Sequence, residues 1–166
     1  QQWKDFIENA RLIARQERHL MDSIVHIKAE NALQRKEFVL ESDELTLKHG
    51  EHGYVNSTTN FIALHDGRAT VQISPFQSGG GPNGVGSITS GRHSDRIENG
   101  NRQERHHPPF HECHRKWYIA QVTVTLSPSD NRATATIIPN FNSLNVTLDG
   151  QLVPFKESSV FKGTTF

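Results

Sequence analysis

Apolar residues recur at every third or fourth position near the amino terminus. The first 36 residues lack glycine and proline and are rich in Glu, Arg, Ala and Leu, which favour helices. This spacing predicts one long amphipathic helix over residues 2–36, with a single apolar stripe along it. The stripe consists of Trp3, Phe6, Ala10, Ile13, Leu20, Ile24 and Ile27.

The stripe is compatible with two arrangements of the helix. In the first, the helix lies on a β-sheet and buries the stripe against it, as two-layer domains require. In the second, the helix pairs with others in a coiled-coil oligomer, because the same positions also fit heptads. Glu17, Asn31 and Gln34 fall at core heptad positions and count against the second arrangement.

From Phe38 onward the period changes from that of a helix to that of strands. Residues 38–40 and 45–47 are strand-like, and Asp66-Gly67 predicts a hairpin between two apolar runs. Residues 68–74 alternate apolar and polar side chains, as a half-buried strand does. We expect residues 54–91, which hold this hairpin and a glycine-rich turn, to form the centre of the sheet.

The C-terminal third repeats the alternation, with apolar residues on one face and threonines on the other. Such strands are typical of an antiparallel sheet with one solvated face. Asp149-Gly150 predicts a further hairpin leading to residues 152–153. The predicted fold class is α+β: a long N-terminal helix on a curved, mostly antiparallel meander that can curl into a partial barrel. We expect one domain over residues 1–166, with the helix in 1–36, the sheet in 37–166 and an irregular, insert-like segment at 91–117.

Charge and composition exclude several function classes. Lys plus Arg and Asp plus Glu both number 18, so the chain lacks the basic surplus of a nucleic-acid-binding protein. No apolar run is long enough to span a bilayer. Cys113 is the single cysteine, which excludes an intrachain disulfide.

Several separated blocks, in order, resemble the family catalogued as domain of unknown function 4251, exported proteins found mainly in Bacteroidetes. The blocks are residues 38–41 (FVLE), 55–61 (VNSTTNF), 68–73 (RATVQI), 81–89 (GPNGVGSIT), 132–137 (RATATI), 139–143 (PNFNS) and 160–163 (VFKG). The resemblance implies a chain exported to the periplasm or cell envelope, whose precursor carries a signal or lipid anchor. It implies no activity, cofactor or catalytic residue.

Residues 101–119 depart from the family pattern. In the family, this region resembles a turn followed by a strand in which apolar and polar residues alternate. Here the segment is polar and rich in histidine. Codons can be chosen for Asn101 to Ala120 such that the reading frame shifted by one nucleotide encodes a turn followed by a strand of period two. We interpret the segment as a local frameshift, compensated near Ala120.

The same segment holds the candidate metal ligands of the chain. Imidazole and thiolate groups bind zinc, and five of them cluster here: His106, His107, His111, Cys113 and His114. Their spacing matches no standard zinc module, so an artefact or a solvated loop is the simpler interpretation, and we assign no metal ligand.

Two other features invite a chemical interpretation. Residues 79–86 are glycine-rich but lack the Lys-Ser/Thr that a phosphate-binding loop needs, so a strand connection is expected. Four acidic residues near Phe38 predict a solvated charged face rather than an acid–base pair; they are Glu37, Glu41, Asp43 and Glu44.

These observations favour a non-enzymatic exported protein with a binding or structural role, with no catalytic residue, metal or cofactor. One version places a small hydrophobic ligand between sheet and helix. The alternatives are a metal-dependent hydrolase or nuclease built on the His/Cys cluster, and a coiled-coil oligomer with an attachment role.

Overall fold

The computed structural model describes residues 1–73, 112–116, 120–139 and 145–160. One long helix is followed by an antiparallel sheet that curls into a half-barrel, so the fold class is α+β. The elements are α1 (Gln2–Arg35), β1 (Phe38–Leu47), β2 (His52–Tyr54), β3 (Phe61–His65), β4 (Arg68–Gln72), β5 (Glu112–Lys116), β6 (Ala120–Leu126), β7 (Arg132–Pro139), β8 (Val146–Pro154) and a 3₁₀ turn (Phe155–Glu157).

The predicted helix is confirmed almost to the residue. It ends at Arg35 because Lys36 takes the left-handed conformation, with φ of 61°. The amide N–H groups of Lys36 and Glu37 then donate to the carbonyls of Leu33 and Ala32, which closes the helix C-terminus. The chain turns directly into β1.

The sheet has the order β4-β3-β1-β8-β7-β6-β5, and β2 pairs with the second half of β1. Strands β5 to β8 form the expected meander, and β1 joins it by pairing antiparallel with β8 along its whole length. The hairpin at Asp66-Gly67 is confirmed, since both residues have positive φ, as a type I′ turn requires. Its strands β3 and β4, however, lie at one end of this order rather than at the centre where we expected them. The rest of residues 54–91, from 74 onward, lies outside the described residues. The centre is β1 with β8.

A β-bulge in β1 shapes this central pair. The register of β1 on β8 shifts between Ser42 and Glu44, which leaves Asp43 as the extra residue. The Ser42 hydroxyl donates to the carbonyls of Glu44 and Asp149, at 2.8 and 3.1 Å. Ser42 is fully buried, and these bonds satisfy its hydroxyl inside the bulge.

The predicted hairpin at Asp149-Gly150 is wrong. Both residues lie inside β8, which runs without a turn from Val146 to Pro154. Gly150 faces the bulge, and a Cβ built there would overlap the carbonyl oxygen of Glu41 and come within 2.6 Å of the Ser42 Cα. The glycine is therefore present for close backbone approach, which a sequence pattern cannot distinguish from a turn.

The core lies on the inner face of the curled sheet. The inward residues of β1, β3, β4, β6, β7 and β8 form one cluster with three residues of α1, and every member is at most 5% exposed. The three helix residues are Ala29, Ala32 and Leu33. Small residues at 29 and 32 let the helix backbone approach β8 and β1.

The expectation that the apolar stripe of α1 packs on the sheet is wrong. All seven stripe residues are exposed, and the sheet contact uses the C-terminal third of the helix instead. His26 marks where this contact begins, since its Nδ1 lies 2.8 Å from the Asp130 carbonyl oxygen in the β6–β7 turn. Helix residues before Asp22 are exposed apart from the half-buried Ile7.

A second, smaller apolar cluster lies on the outer face. Val39, Phe61 and Ala63 are buried there beneath a C-terminal segment that includes Phe155 and Val160. The Glu41 carboxylate secures that segment. Its Oε1 accepts the Ser158 hydroxyl at 2.6 Å and the Ser159 amide N–H at 3.3 Å.

Part of the segment that we expected to be irregular is a strand. Glu112–Lys116 form β5, which pairs antiparallel with β6. The rest of that segment, and most of the residues covered by the frameshift interpretation, lie outside the described residues.

We expect Gly150→Ala to lower the free energy of unfolding by about 3 kcal/mol, because the added Cβ meets backbone atoms that cannot rotate away. Gly50→Ala is the matched control. Gly50, unlike Gly150, has positive φ, and it has nothing within 4 Å of its Cβ direction, so only conformational strain of about 1 kcal/mol applies there. Urea denaturation of both variants measures the difference, and equal losses would contradict the close approach at the bulge.

We expect Leu33→Ala to lower the free energy of unfolding by about 2–5 kcal/mol, because it leaves a cavity between helix and sheet. Leu12→Ala removes the same atoms from an exposed position of the same helix, and its effect should stay within about 0.5 kcal/mol. Thermal or urea denaturation of the two variants tests which part of α1 packs. A larger loss at Leu12 would place the packed face elsewhere.

Candidate functional site

The residues of the predicted His/Cys metal cluster are only partly within the described chain. Cys113 and His114 occupy successive positions of β5, opposite Val124 and Thr123 of β6. His106, His107 and His111 lie outside the described residues, as does the glycine-rich segment at 79–86. The structure does not test whether the five residues come together.

A different group of polar side chains meets at the end of β3. The imidazole of His65 stacks on the ring of Phe155, with centroids 3.9 Å apart and planes 2° from parallel. Its Nε2 lies 3.2 Å from Asp66 Oδ2, and its Nδ1 lies 3.9 Å from Glu37 Oε1. That Nδ1 is buried and has no hydrogen-bond partner.

The geometry of this group does not match that of a tetrahedral metal site. Its three ligand atoms lie within 4.8 Å of one another, whereas tetrahedral zinc ligands at about 2.0–2.1 Å from the metal are roughly 3.4 Å apart. The two carboxylates also approach opposite nitrogens of one ring, and a single ion can bind only one of them. We therefore assign no metal to this group, which joins the end of β3 to the residue before β1 and to the turn after β8.

The other acidic residues near Phe38 are engaged in contacts across the sheet. The bulge projects Asp43 toward Arg132 of β7, whose guanidinium Nη1 lies 2.6 Å from Asp43 Oδ2. The hydrogen bond that the Arg132 guanidinium donates to Asp43 raises the pKa of Arg132 above its ordinary value, against the effect of burial, which lowers it. The pair connects β1 to β7 across β8. Asp43 and Glu41 are thus partly exposed, and in addition to facing solvent they hold contacts within the fold.

The largest apolar feature on the described surface is the stripe of α1. Its six large side chains, with Met21 beside them, are between 41% and 71% exposed. Trp3 and Phe6 stack on each other, with ring centroids 5.6 Å apart, so the N-terminal end of the stripe has a defined aromatic surface. At 34 residues the helix is about 51 Å long, and the stripe follows it for roughly 36 Å.

The stripe and the sheet contact lie on different sides of the helix. At about 100° per residue, the mean direction of the stripe is roughly 150° from that of His26, Ala29, Ala32 and Leu33. In the exposed half, the direction of the sheet contact is occupied by charged residues, namely Lys4, Glu8, Arg11, Arg15 and Arg18. The first half of α1 therefore has no apolar face toward its own sheet, and its stripe faces away from it.

The sequence held a signal for this arrangement. Continuing the heptad of the stripe past Ile27 reaches Asn31 and Gln34, which are polar and exposed. The stripe thus ends where the helix begins to pack, while Ala29, Ala32 and Leu33 belong to another set of positions. Two apolar faces on one helix, one over residues 3–27 and the other over residues 29–33, predict two different partners.

None of the helices in the described part of the chain has the length and apolarity needed to cross a bilayer.

Comparison with known proteins shows the family. A model of the domain of unknown function family DUF4251 matches residues 25–152. None of the curated proteins matches the chain. Among solved structures, a DUF4251 family protein from Bacteroides eggerthii DSM 20697 is 34% identical, with a TM-score of 0.70. The alignment covers 89% of this chain and 99% of that protein.

The family match begins at Val25, close to where α1 starts to contact the sheet. The exposed half of the helix, with Trp3, Phe6 and Ile13, precedes it. The sheet and the packed end of the helix are thus the part that the family model describes, and on that evidence the chain belongs to the DUF4251 family.

Proposed function

We propose that this protein is an exported, non-enzymatic component of the bacterial cell envelope that acts by binding another protein through the apolar stripe of α1. One observation carries the proposal: six large apolar side chains of the stripe are exposed together on a helix that extends beyond its own sheet. Contiguous apolar patches of this size on soluble proteins usually mark interaction sites.

The charged groups described above support a non-enzymatic role. Glu41 holds the C-terminal segment, Asp43 holds Arg132, and His65 is stacked on Phe155. Each is engaged in holding elements of the fold together.

The packing of the sheet favours the helix over the interior as the binding surface. A small hydrophobic ligand between sheet and helix would need open space there. The described side chains of the inner face form one cluster with each member at most 5% exposed, and Leu33 already lies against it. The stripe, by contrast, is accessible without any rearrangement.

Export and envelope location are part of the proposal because of the family. The similar solved structure comes from a Bacteroides species, whose envelope offers both soluble and anchored locations. Fractionation of cells that express the full-length gene should recover the protein with periplasmic or membrane markers. Recovery with cytoplasmic markers would contradict this part of the proposal.

We expect a photo-reactive benzoylphenylalanine at Ile13 to form covalent protein adducts in illuminated cells, because Ile13 lies at the middle of the stripe. The same probe at Arg15, on the charged side of the same turn, is the control and should form few adducts. Immunoblotting and mass spectrometry of the purified products give the readout. Equal yields at the two positions, or none at Ile13, would contradict binding through the stripe.

A further inference from the structure

We propose that the partner on the stripe is a second copy of this chain, paired antiparallel helix to helix. The inference rests on the proposed function, since it identifies the occupant of the same surface. Three observations carry it: the heptad spacing of the stripe, the residues that flank it, and the apolar area that it exposes.

The spacing of the stripe is that of a paired helix rather than of a helix on a flat surface. With Trp3 at heptad position a, the stripe occupies successive a and d positions through Ile27, over three and a half heptads. Glu17 is the one interruption, at an a position. In a parallel pair, a positions face each other, so two Glu17 carboxylates would be opposed and would repel.

An antiparallel pair removes that conflict. Here a positions face d positions, and a two-fold axis near residue 15 sets Glu17 opposite Ile13 of the second copy. Each remaining layer of the pair joins one a residue to one d residue of the other copy. Two layers pair an aromatic ring with a branched side chain, and one pairs a small side chain with a large one. They are Trp3 with Ile27, Phe6 with Ile24, and Ala10 with Leu20, each crossing between copies.

The residues beside the stripe also fit the antiparallel arrangement. Antiparallel pairing brings e positions of the two copies together, and these are Ile7, Ala14 and Met21 in the exposed half. The apolar flank would thus meet itself, with Ala14 next to Ala14 at the axis, where small residues permit close approach. The g positions, Asn9, Gln16 and Ser23, are uncharged, so no like charges meet on the other flank.

The area is sufficient for a stable dimer. The exposed fractions of the stripe and Met21 correspond to roughly 800 Å² of side-chain surface per copy, which is about what one partner of a standard interface buries. The geometry also leaves room for both sheets. Each sheet packs on the far side of its own helix, and antiparallel pairing puts the two sheets at opposite ends of the helix pair.

The first test is the mass of the purified chain, residues 1–166, by analytical ultracentrifugation over micromolar to submillimolar concentrations. We expect twice the 18.7 kDa chain mass. Leu20→Lys, which places a charge in the stripe, should shift the protein to the monomer mass or weaken association at least tenfold. Leu12→Lys makes the same change on the same helix outside the stripe, and it should remain dimeric. Circular dichroism of both variants checks that the fold is retained.

The second test reads the orientation of the helices. In a Cys113→Ser background, a spin label at Lys4→Cys should report an intermolecular distance of about 33 Å in the antiparallel pair, since the labels are then some 22 residues apart along the axis. A parallel pair would bring the two labels to adjacent positions and give a distance below about 20 Å, estimated from interaxial spacings of 8–10 Å plus the label arms. Such a short distance would overturn the antiparallel arrangement.

The outcomes separate this inference from the proposed function. A monomer at all concentrations, with Ile13 adducts to a different protein in cells, overturns the second copy and leaves the proposed function standing. A monomer that binds phosphatidylethanolamine–phosphatidylglycerol vesicles through the stripe, with no protein adducts, overturns both. A dimer that Leu20→Lys dissociates and Leu12→Lys does not, with Ile13 adducts between two copies, supports both.

Discussion

The antiparallel pairing of β1 with β8 is the contact on which the rest of the molecule depends. It joins a strand that begins at Phe38 to one that begins at Val146, so it closes the chain over more than a hundred residues and fixes the half-barrel. The pair is possible only because Gly150 leaves space for the backbone at the Ser42 bulge. The bulge in turn frees Asp43 to reach Arg132, which connects β1 to β7 across β8. One local irregularity thus sets the register of the central strands and the polar contacts above them.

The same pair determines where the helix can lie. Helix α1 packs mainly on β8 and β1, and it is connected to β1 by only two residues, Lys36 and Glu37. Such a short connection holds the C-terminal end of the helix over the centre of the sheet. A 34-residue helix anchored at one end is longer than the part that contacts the sheet, so its first half extends beyond the packed region. The exposed stripe is therefore a consequence of helix length combined with a short connection.

This geometry divides the chain into a fold and a binding element. The family match starts at Val25, near the residue where the helix meets the sheet, and all of the stripe except Ile27 lies before it. Residues that stabilise the fold, such as Leu33 and Leu148, are buried, whereas those of the stripe contribute nothing to the described core. Changes on the stripe can alter a partner without disturbing the sheet, which is the arrangement expected for a stable scaffold that carries a separate interaction surface.

Local pattern in the sequence determined most of the secondary structure. The period of the apolar residues indicated the helix and the alternating strands, and Asp66-Gly67 indicated the β3–β4 turn, because these depend on near neighbours. The tertiary structure decided what pattern cannot specify. Gly150 has the sequence of a turn but lies within β8, because the backbone of β1 approaches it there. The stripe has the pattern of a core face but is exposed. The side of a helix that meets a sheet depends on the connection between them and on small residues such as Ala29 and Ala32. Glu37, His65 and Phe155 are distant along the chain and meet only because β1, β3 and the end of β8 are adjacent in the folded sheet.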